Sequence, residues 1–283
     1  MKSGSIALFG FGTLPLALGA VLLLDPVDAT PAPDAATITV TATDYALQAP
    51  DTLLQGAVTF NLVNQGKEFH HLWIARADSG RTLDDVMAAF KQHGPPPAWL
   101  RDIGGPNAPM PMGGVANATV MLQPGTYILG CWIPSPDGVP HLMKGMVRQL
   151  TVVAAEKPAP APVAQVTMTL HDYGFSLSRP LTPGRYLIEV RNQAAQQHEI
   201  ELASLSEGKS VRELLAWIHK PEGAMPGAPI GGVSPIARGE VAWFEVDLKP
   251  GRYALVCFLP DAKDMKPHFE HGMVQEIEVG AAS

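Results

Sequence analysis

The sequence predicts an all-β protein of two tandem Greek-key β-sandwiches, each with one short inserted helix, behind an apolar N-terminal signal or anchor helix. Three observations carry the prediction: an internal repeat, short runs in which apolar and polar residues alternate, and an uncharged stretch at the start of the chain. At 283 residues the chain exceeds one typical domain and has room for two cores of ordinary size. It is 46% hydrophobic and 17% charged, with 27 prolines and 27 glycines, which implies many turns and short strands.

In chain order, Lys2 precedes an uncharged, mainly apolar stretch of nineteen residues, Ile6 to Leu24. That exceeds a usual signal core and just reaches spanning length, while Val27-Asp28-Ala29 offers a small-residue cleavage site. Residues 1–29 therefore read as a cleaved signal peptide or as a membrane anchor through residues 6–24. Either places the remainder in the periplasm or another extracytoplasmic space. Residues 30–36 follow as a Pro/Ala/Asp tether.

The repeat sets the domain organisation. Asp44-Tyr45 recurs 128 residues later as Asp172-Tyr173, Asn64 as Asn192, His70 as His198 and Gly80 as Gly208. Small length changes then shift the match: Ile103-Gly104-Gly105 pairs with Ile230-Gly231-Gly232, Cys131 with Cys257, and Gly145-Met146 with Gly272-Met273. The first domain is assigned to residues 37–154 and the second to 164–283, joined by a Pro/Ala linker at 155–163 that favours extended backbone. Within each copy, runs such as ATITVTAT, VTFNLVN, RYLIEVRN and VAWFEVDL have the period of two expected of strands. The helical excursions are TLDDVMAAFKQH and SVRELLAWIHK, each opened by a hydroxyl residue with a carboxylate three positions on, Thr82 with Asp85 and Ser210 with Glu213.

The chemistry lies near the end of each copy, in GTYILGCWIPSPDGVPHLMKGM and GRYALVCFLPDAKDMKPHFEHGM. A strand ends at the Cys, a loop follows, and His and Met return from it, the Met five residues after the His. A further His follows an Asn-led strand end, His70 in NQGKEFH and His198 in NQAAQQH; His71 is the competing choice in the first copy, and the repeat alignment favours His70. Two imidazoles, a thiolate and a thioether form a set that favours copper and supports electron transfer.

In these motifs the chain resembles the cupredoxins, the blue-copper proteins that include plastocyanin, azurin and the copper domains of nitrite reductases. The resemblance covers both repeats. It implies one type 1 copper held by His70, Cys131, His141 and Met146 and a second held by His198, Cys257, His268 and Met273, on cupredoxin-like sandwiches that transfer single electrons. The Cys-to-His loops hold nine and ten residues, longer than in the small carriers and like those of the nitrite reductases. The first His is followed by His71 or Glu199 where the small carriers commonly have Asn. No His adjoins either Cys and no H-x-H pair occurs, so the second copper centre of the copper oxidases and nitrite reductases is not expected, nor is enzymatic activity.

The net charge of −7 and the lack of any Lys/Arg run argue against nucleic-acid binding. The expected partner is a redox protein or a membrane electron-transfer complex, and a copper-free accessory subunit of a respiratory or photosynthetic complex is the alternative role. The two cysteines occupy equivalent positions of separate repeats, which argues against a disulfide. Met110 and Met112 read as an apolar loop rather than a Cu(I) site, since the second copy lacks them. His93, His171 and His219 read as surface or core residues, His271 as a solvated residue or an exit for electrons, and Trp99, Trp132 and Trp217 as packing anchors.

Overall fold

The computed structural model describes Met1 and residues 34–92 and 96–280. Apart from Met1, the expected signal or anchor lies outside the described residues, as do most of the tether and His93. Among the described residues no helix is long and apolar enough to cross a membrane.

The chain is mostly strand. The first repeat contains β1 (Ala36–Thr43), β2 (Ala46–Gln48), β3 (Thr52–Leu54), β4 (Gly56–Asn64), β5 (Trp73–Ala77), α1 (Leu83–Phe90), β6 (Leu100–Gly104), β7 (Gly114–Leu122), β8 (Gly125–Gly130) and β9 (Val147–Val153). The second contains β10 (Val166–His171), β11 (Gly174–Leu177), β12 (Gly184–Asn192), β13 (His198–Leu205), α2 (Val211–His219), β14 (Gly227–Ile236), β15 (Val241–Leu248), β16 (Gly251–Val256) and β17 (Val274–Val279). Alternation decides the faces: in β4, Val58, Phe60 and Leu62 are buried while Thr59 and Asn61 are only partly so.

Two sheets result, ordered β11-β10-β12-β15-β7-β4-β1-β2 and β17-β16-β13-β14-β6-β5-β8-β9-β3. Each repeat gives strands to both sheets, and both sheets run unbroken from one repeat into the other. The junctions are β15 on β7, where Trp243 pairs with Thr119, and β14 on β6, where Ile236 pairs with Ile103. A single cluster of buried side chains, among them Phe60, Ile103 and Val120 of the first repeat and Ile200, Val233 and Phe244 of the second, fills the space between the sheets. The linker is pinned as well: Ala159 bridges to Gly56 and accepts a hydrogen bond from the Ala57 amide at 2.9 Å.

Both helices begin as the sequence predicts. Thr82 and Ser210 cap the N-termini, and Asp85 and Glu213 reach back to the cap amides at 2.9 and 3.0 Å. Val86 and Phe90 of α1 pack on Trp73, Ala75 and Ile128, and Leu214 of α2 packs on Ala203, Ala254 and Val256. The helices thus cover a second apolar face of the strands that carry the candidate ligands. Tyr127 and Tyr253 lock the turns before β8 and β16 by donating to the Gln123 and Lys249 carbonyls at 2.9 and 2.7 Å.

Candidate metal centres

Each candidate centre sits at one end of its sandwich. His70 lies in the connection leading into β5 and His198 opens β13; Cys131 and Cys257 follow β8 and β16; His141 and His268 begin single 3-10 turns; Met146 and Met273 immediately precede β9 and β17. The 3-10 turns close at Gly145 and Gly272, with φ of 108° and 101°, a left-handed conformation that explains the Gly before each Met. Backbone hydrogen bonds fix the loop on itself. The Leu142 and Phe269 amides donate to the Cys131 and Cys257 carbonyls at 2.8 and 3.1 Å, and the Met146 and Met273 amides donate to the His141 and His268 carbonyls at 3.0 Å.

The first His of each set is positioned by the Asn that ends the preceding strand. Asn64 and Asn192 donate to the Glu68 and Gln196 carbonyls at 2.9 Å, shaping the loop that delivers His70 and His198. Asp44 and Asp172 then accept from the Nε2 atoms of His70 and His198 at 3.1 and 3.2 Å. Partial burial pushes Asp44 up, but hydrogen bonds from His70 and from the Glu68 and Lys67 amides outweigh it and hold the carboxyl below its usual range. This gives the Asp-Tyr repeat a function that sequence reasoning missed: the Asp orients an imidazole, and the Tyr packs edge-on against the other one. Tyr45 and Tyr173 stand 5.4 and 5.8 Å from the rings of His141 and His268, and both have left-handed backbone, φ 69° and 66°. Such a conformation costs a non-glycine residue about 1 kcal/mol, and here it recurs beside both candidate centres.

The structure brings His70, Cys131 and His141 together, and likewise His198, Cys257 and His268, with the donor atoms of each trio within 4.8 Å of one another. All six side chains are buried. In each trio the two histidine Nδ1 atoms face each other at 3.0 Å, and the Cys Sγ lies 3.5 Å from His141 Nδ1 and 3.3 Å from His268 Nδ1. In the first trio both Nε2 atoms are engaged with carboxylates, His70 with Asp44 and His141 with Glu68 at 2.8 Å. A carboxylate only accepts, so each Nε2 carries a ring proton, and when both rings are neutral the two bare Nδ1 lone pairs point at each other. That arrangement is repulsive without a cation between the rings and is the donor geometry a metal resolves. The second trio differs: Gln196 replaces Glu68, and His268 Nε2 is buried without a hydrogen-bond partner, 3.8 Å from Asp261.

Burial pushes the Cys131 thiol up to about 12 and the Cys257 thiol higher still, and it lowers His70, His198 and His268, the last to about 4. Met146 and Met273 are fully buried. His71 is turned elsewhere, its Nε2 accepting from the Trp132 amide at 3.0 Å, and Glu199 accepts from the Phe258 amide at 3.1 Å at the equivalent place. The residue after the first His therefore ties its strand to the residue after the Cys in both repeats. His171, His219 and His271 are exposed, and His271 pairs with Asp264 at 3.1 Å. Met112 is 81% exposed, Met110 39%. Trp99, Trp132 and Trp217 are half-buried, and Trp132 packs edge-on against Trp73 and Phe90.

No family model matches the sequence, and no curated protein is similar to it. Solved structures are. Reduced auracyanin from Roseiflexus castenholzii is 23% identical over 43% of this chain and 99% of its own, with a TM-score of 0.30. A multicopper oxidase is 13% identical over 86% of this chain and 88% of its own, TM-score 0.25, and copper nitrite reductase from Nitrosomonas europaea is 14% identical over 86% and 93%, TM-score 0.24. The expectation that the chain is not an enzyme is corrected by these matches: structures aligned with most of its length include copper oxidases and nitrite reductases. The sequence pattern behind that expectation is too narrow on physical grounds. It finds a His beside the Cys or ligands two apart on one strand, whereas folding also brings side chains together from separate turns, as it does Asp261, Asp264 and His271. Its own paired sheets and its two His–Cys–His groups agree with the expected two-domain cupredoxin-like fold.

Proposed function

We propose that each repeat binds one copper ion in a type 1 site, His70, Cys131, His141 and Met146 in the first and His198, Cys257, His268 and Met273 in the second, and that the protein transfers single electrons. The observation that carries this reading is the pair of Nδ1 atoms 3.0 Å apart in each repeat, beside a buried Cys sulfur. Copper held there would supply a Cu(II)/Cu(I) couple. The chain's residues do the rest. The 3-10 turns and the Asp44, Asp172 and Glu68 carboxylates hold the imidazoles in one orientation, so the donor set rearranges little between oxidation states. The surrounding core excludes water from ligands that are themselves fully buried. The buried thiol must give up its proton on loading, so binding releases protons and weakens at acid pH.

The apolar stretch at residues 6–24 supports an extracytoplasmic setting, with a redox protein or a membrane electron-transfer complex as partner. Visible absorption and EPR of the purified protein after Cu(II) loading test the copper reading. An intense thiolate-to-copper band at two coppers per chain is expected; a folded protein without that band and without stoichiometric copper contradicts it. Glu68→Ala should lower copper affinity of the first centre by about 10–100-fold, the usual effect of losing such an orienting partner. Chelator competition should find the second centre unaltered, since His268 has no equivalent carboxylate in hydrogen-bond contact.

A further inference from the structure

The junction between the repeats has a pseudo-twofold arrangement that ends on both candidate centres. Pro106 and Val233, equivalent residues, form an antiparallel bridge. The Asn107 amide donates to the Gly232 carbonyl at 3.3 Å, and the equivalent Ser234 amide donates to the Gly105 carbonyl at 2.9 Å. The side chains repeat the exchange. Asn107 Nδ2 donates to the Ile200 carbonyl at 3.1 Å, and Ser234 Oγ donates to the Leu72 carbonyl at 3.0 Å. Gly105 and Gly232 are required here, because a Cβ at either would lie 2.0 Å from the Leu72 or Ile200 carbonyl oxygen.

Leu72 and Ile200 each stand two residues after a first ligand His. One route therefore runs from His70 through His71 to Leu72, whose amide donates to the Pro106 carbonyl at 3.0 Å, then through Asn107 to Ile200, Glu199 and His198. Two hydrogen bonds are its only breaks in covalent continuity. The second route leaves the Leu72 carbonyl through Ser234 to Val233, which pairs with Ile200. The Trp132-to-His71 and Phe258-to-Glu199 contacts join the cysteine side of each centre to the same routes.

Resting on the copper reading above, we infer that this seam couples the two centres electronically, with Asn107 and Ser234 as its positioning residues. In the step, one electron leaves the reduced centre and arrives at the oxidised one; the first is oxidised from Cu(I) to Cu(II), the second is reduced from Cu(II) to Cu(I), and no atom or proton moves. The route lies wholly inside the protein, so neither solvent nor a partner takes part.

The test uses the full chain loaded with copper at both sites and a substoichiometric pulse of a one-electron reducing radical, followed by absorption and freeze-quench EPR. A redistribution phase independent of protein concentration is expected in the wild type and absent from Cys257→Ser. It should slow several-fold in Asn107→Ala, slow further in Asn107→Ala/Ser234→Ala, and recover in Asn107→Ser, which installs the hydroxyl that the other repeat uses. Static EPR spectra of both centres and cooperative unfolding of the metal-free protein should stay unchanged, which separates coupling from damage to the fold. Both copper bands present without such a phase, or a phase that the double variant leaves at its wild-type rate, overturns the inference alone. Should the double variant fail to fold, the single variants decide: a phase that Asn107→Ala leaves at its wild-type rate overturns the inference, and slowing in Asn107→Ala with recovery in Asn107→Ser supports it. Absence of both bands overturns the copper reading, and this inference with it.

Discussion

Cys131→Ser is expected to abolish the thiolate-to-copper absorption of the first centre and to leave that of the second at full strength, with Cys257→Ser giving the converse. The effect should be close to complete because the band belongs to the sulfur: a hydroxyl of nearly the same size fills the position without supplying a soft, polarisable anion. Cys131 is fully buried, and burial already pushes its thiol to about 12, so only a metal can hold the thiolate in this setting. The serine hydroxyl takes the place of the sulfur beside His141 Nδ1, where it has a hydrogen-bond acceptor. The cores on either side of the junction are continuous, so circular dichroism of the variant should report a folded chain. Equal loss of both bands in either variant would mean that the two sites are not independent binding units.

The strand pattern, both capped helices and the doubled His–Cys–His grouping could be read from the sequence because each depends on local periodicity or on a spacing that occurs twice. The Asp-Tyr pair also recurs, and its recurrence was a usable signal, but the contacts of Asp44 and Tyr45 come from a turn 26 residues before His70. No local rule connects the two. Glu68 was invisible for a different reason: its counterpart is Gln196, so the repeat concealed the feature that makes the first His pair better oriented than the second. The seam at Asn107 and Ser234 exists only once strands of one repeat pair with strands of the other, and nothing in a Pro/Ala linker announces that pairing. The exclusion of an enzyme failed because a missing motif speaks only for the one geometry that the motif describes.

The residue after the first His should give the metal-free protein opposite pH responses in its two halves. His71 is fully buried, and burial lowers it from its ordinary 6.5 to about 3; Glu199 is likewise buried, and burial raises it from 4.5 to about 7. Below pH 6.5 the unfolded chain takes up a proton on His71 that the folded chain refuses, so this residue removes stability as pH falls from about 6.5 to 3. Between about 4.5 and 7 the folded chain keeps a proton on Glu199 that the unfolded chain has released, so this one removes stability as pH rises. Each slope is about 1.4 kcal/mol per pH unit at most. His70, His198 and His268 share the first direction, and Asp102 and Glu201, raised by burial, share the second. The clean observable is therefore a difference between proteins. His71→Asn keeps an acceptor for the Trp132 amide and does not titrate, so in urea unfolding it should gain on the wild type progressively as pH falls below 6.5. Glu199→Gln keeps an acceptor for the Phe258 amide and should gain as pH rises from 4.5 to 7. Slopes of one sign in both variants, or differences that do not vary with pH, would contradict the assignment of these two residues as buried, neutral ties between strands. Opposite slopes would show that one structural role, accepting a single backbone amide, is filled by a base in one repeat and by an acid in the other.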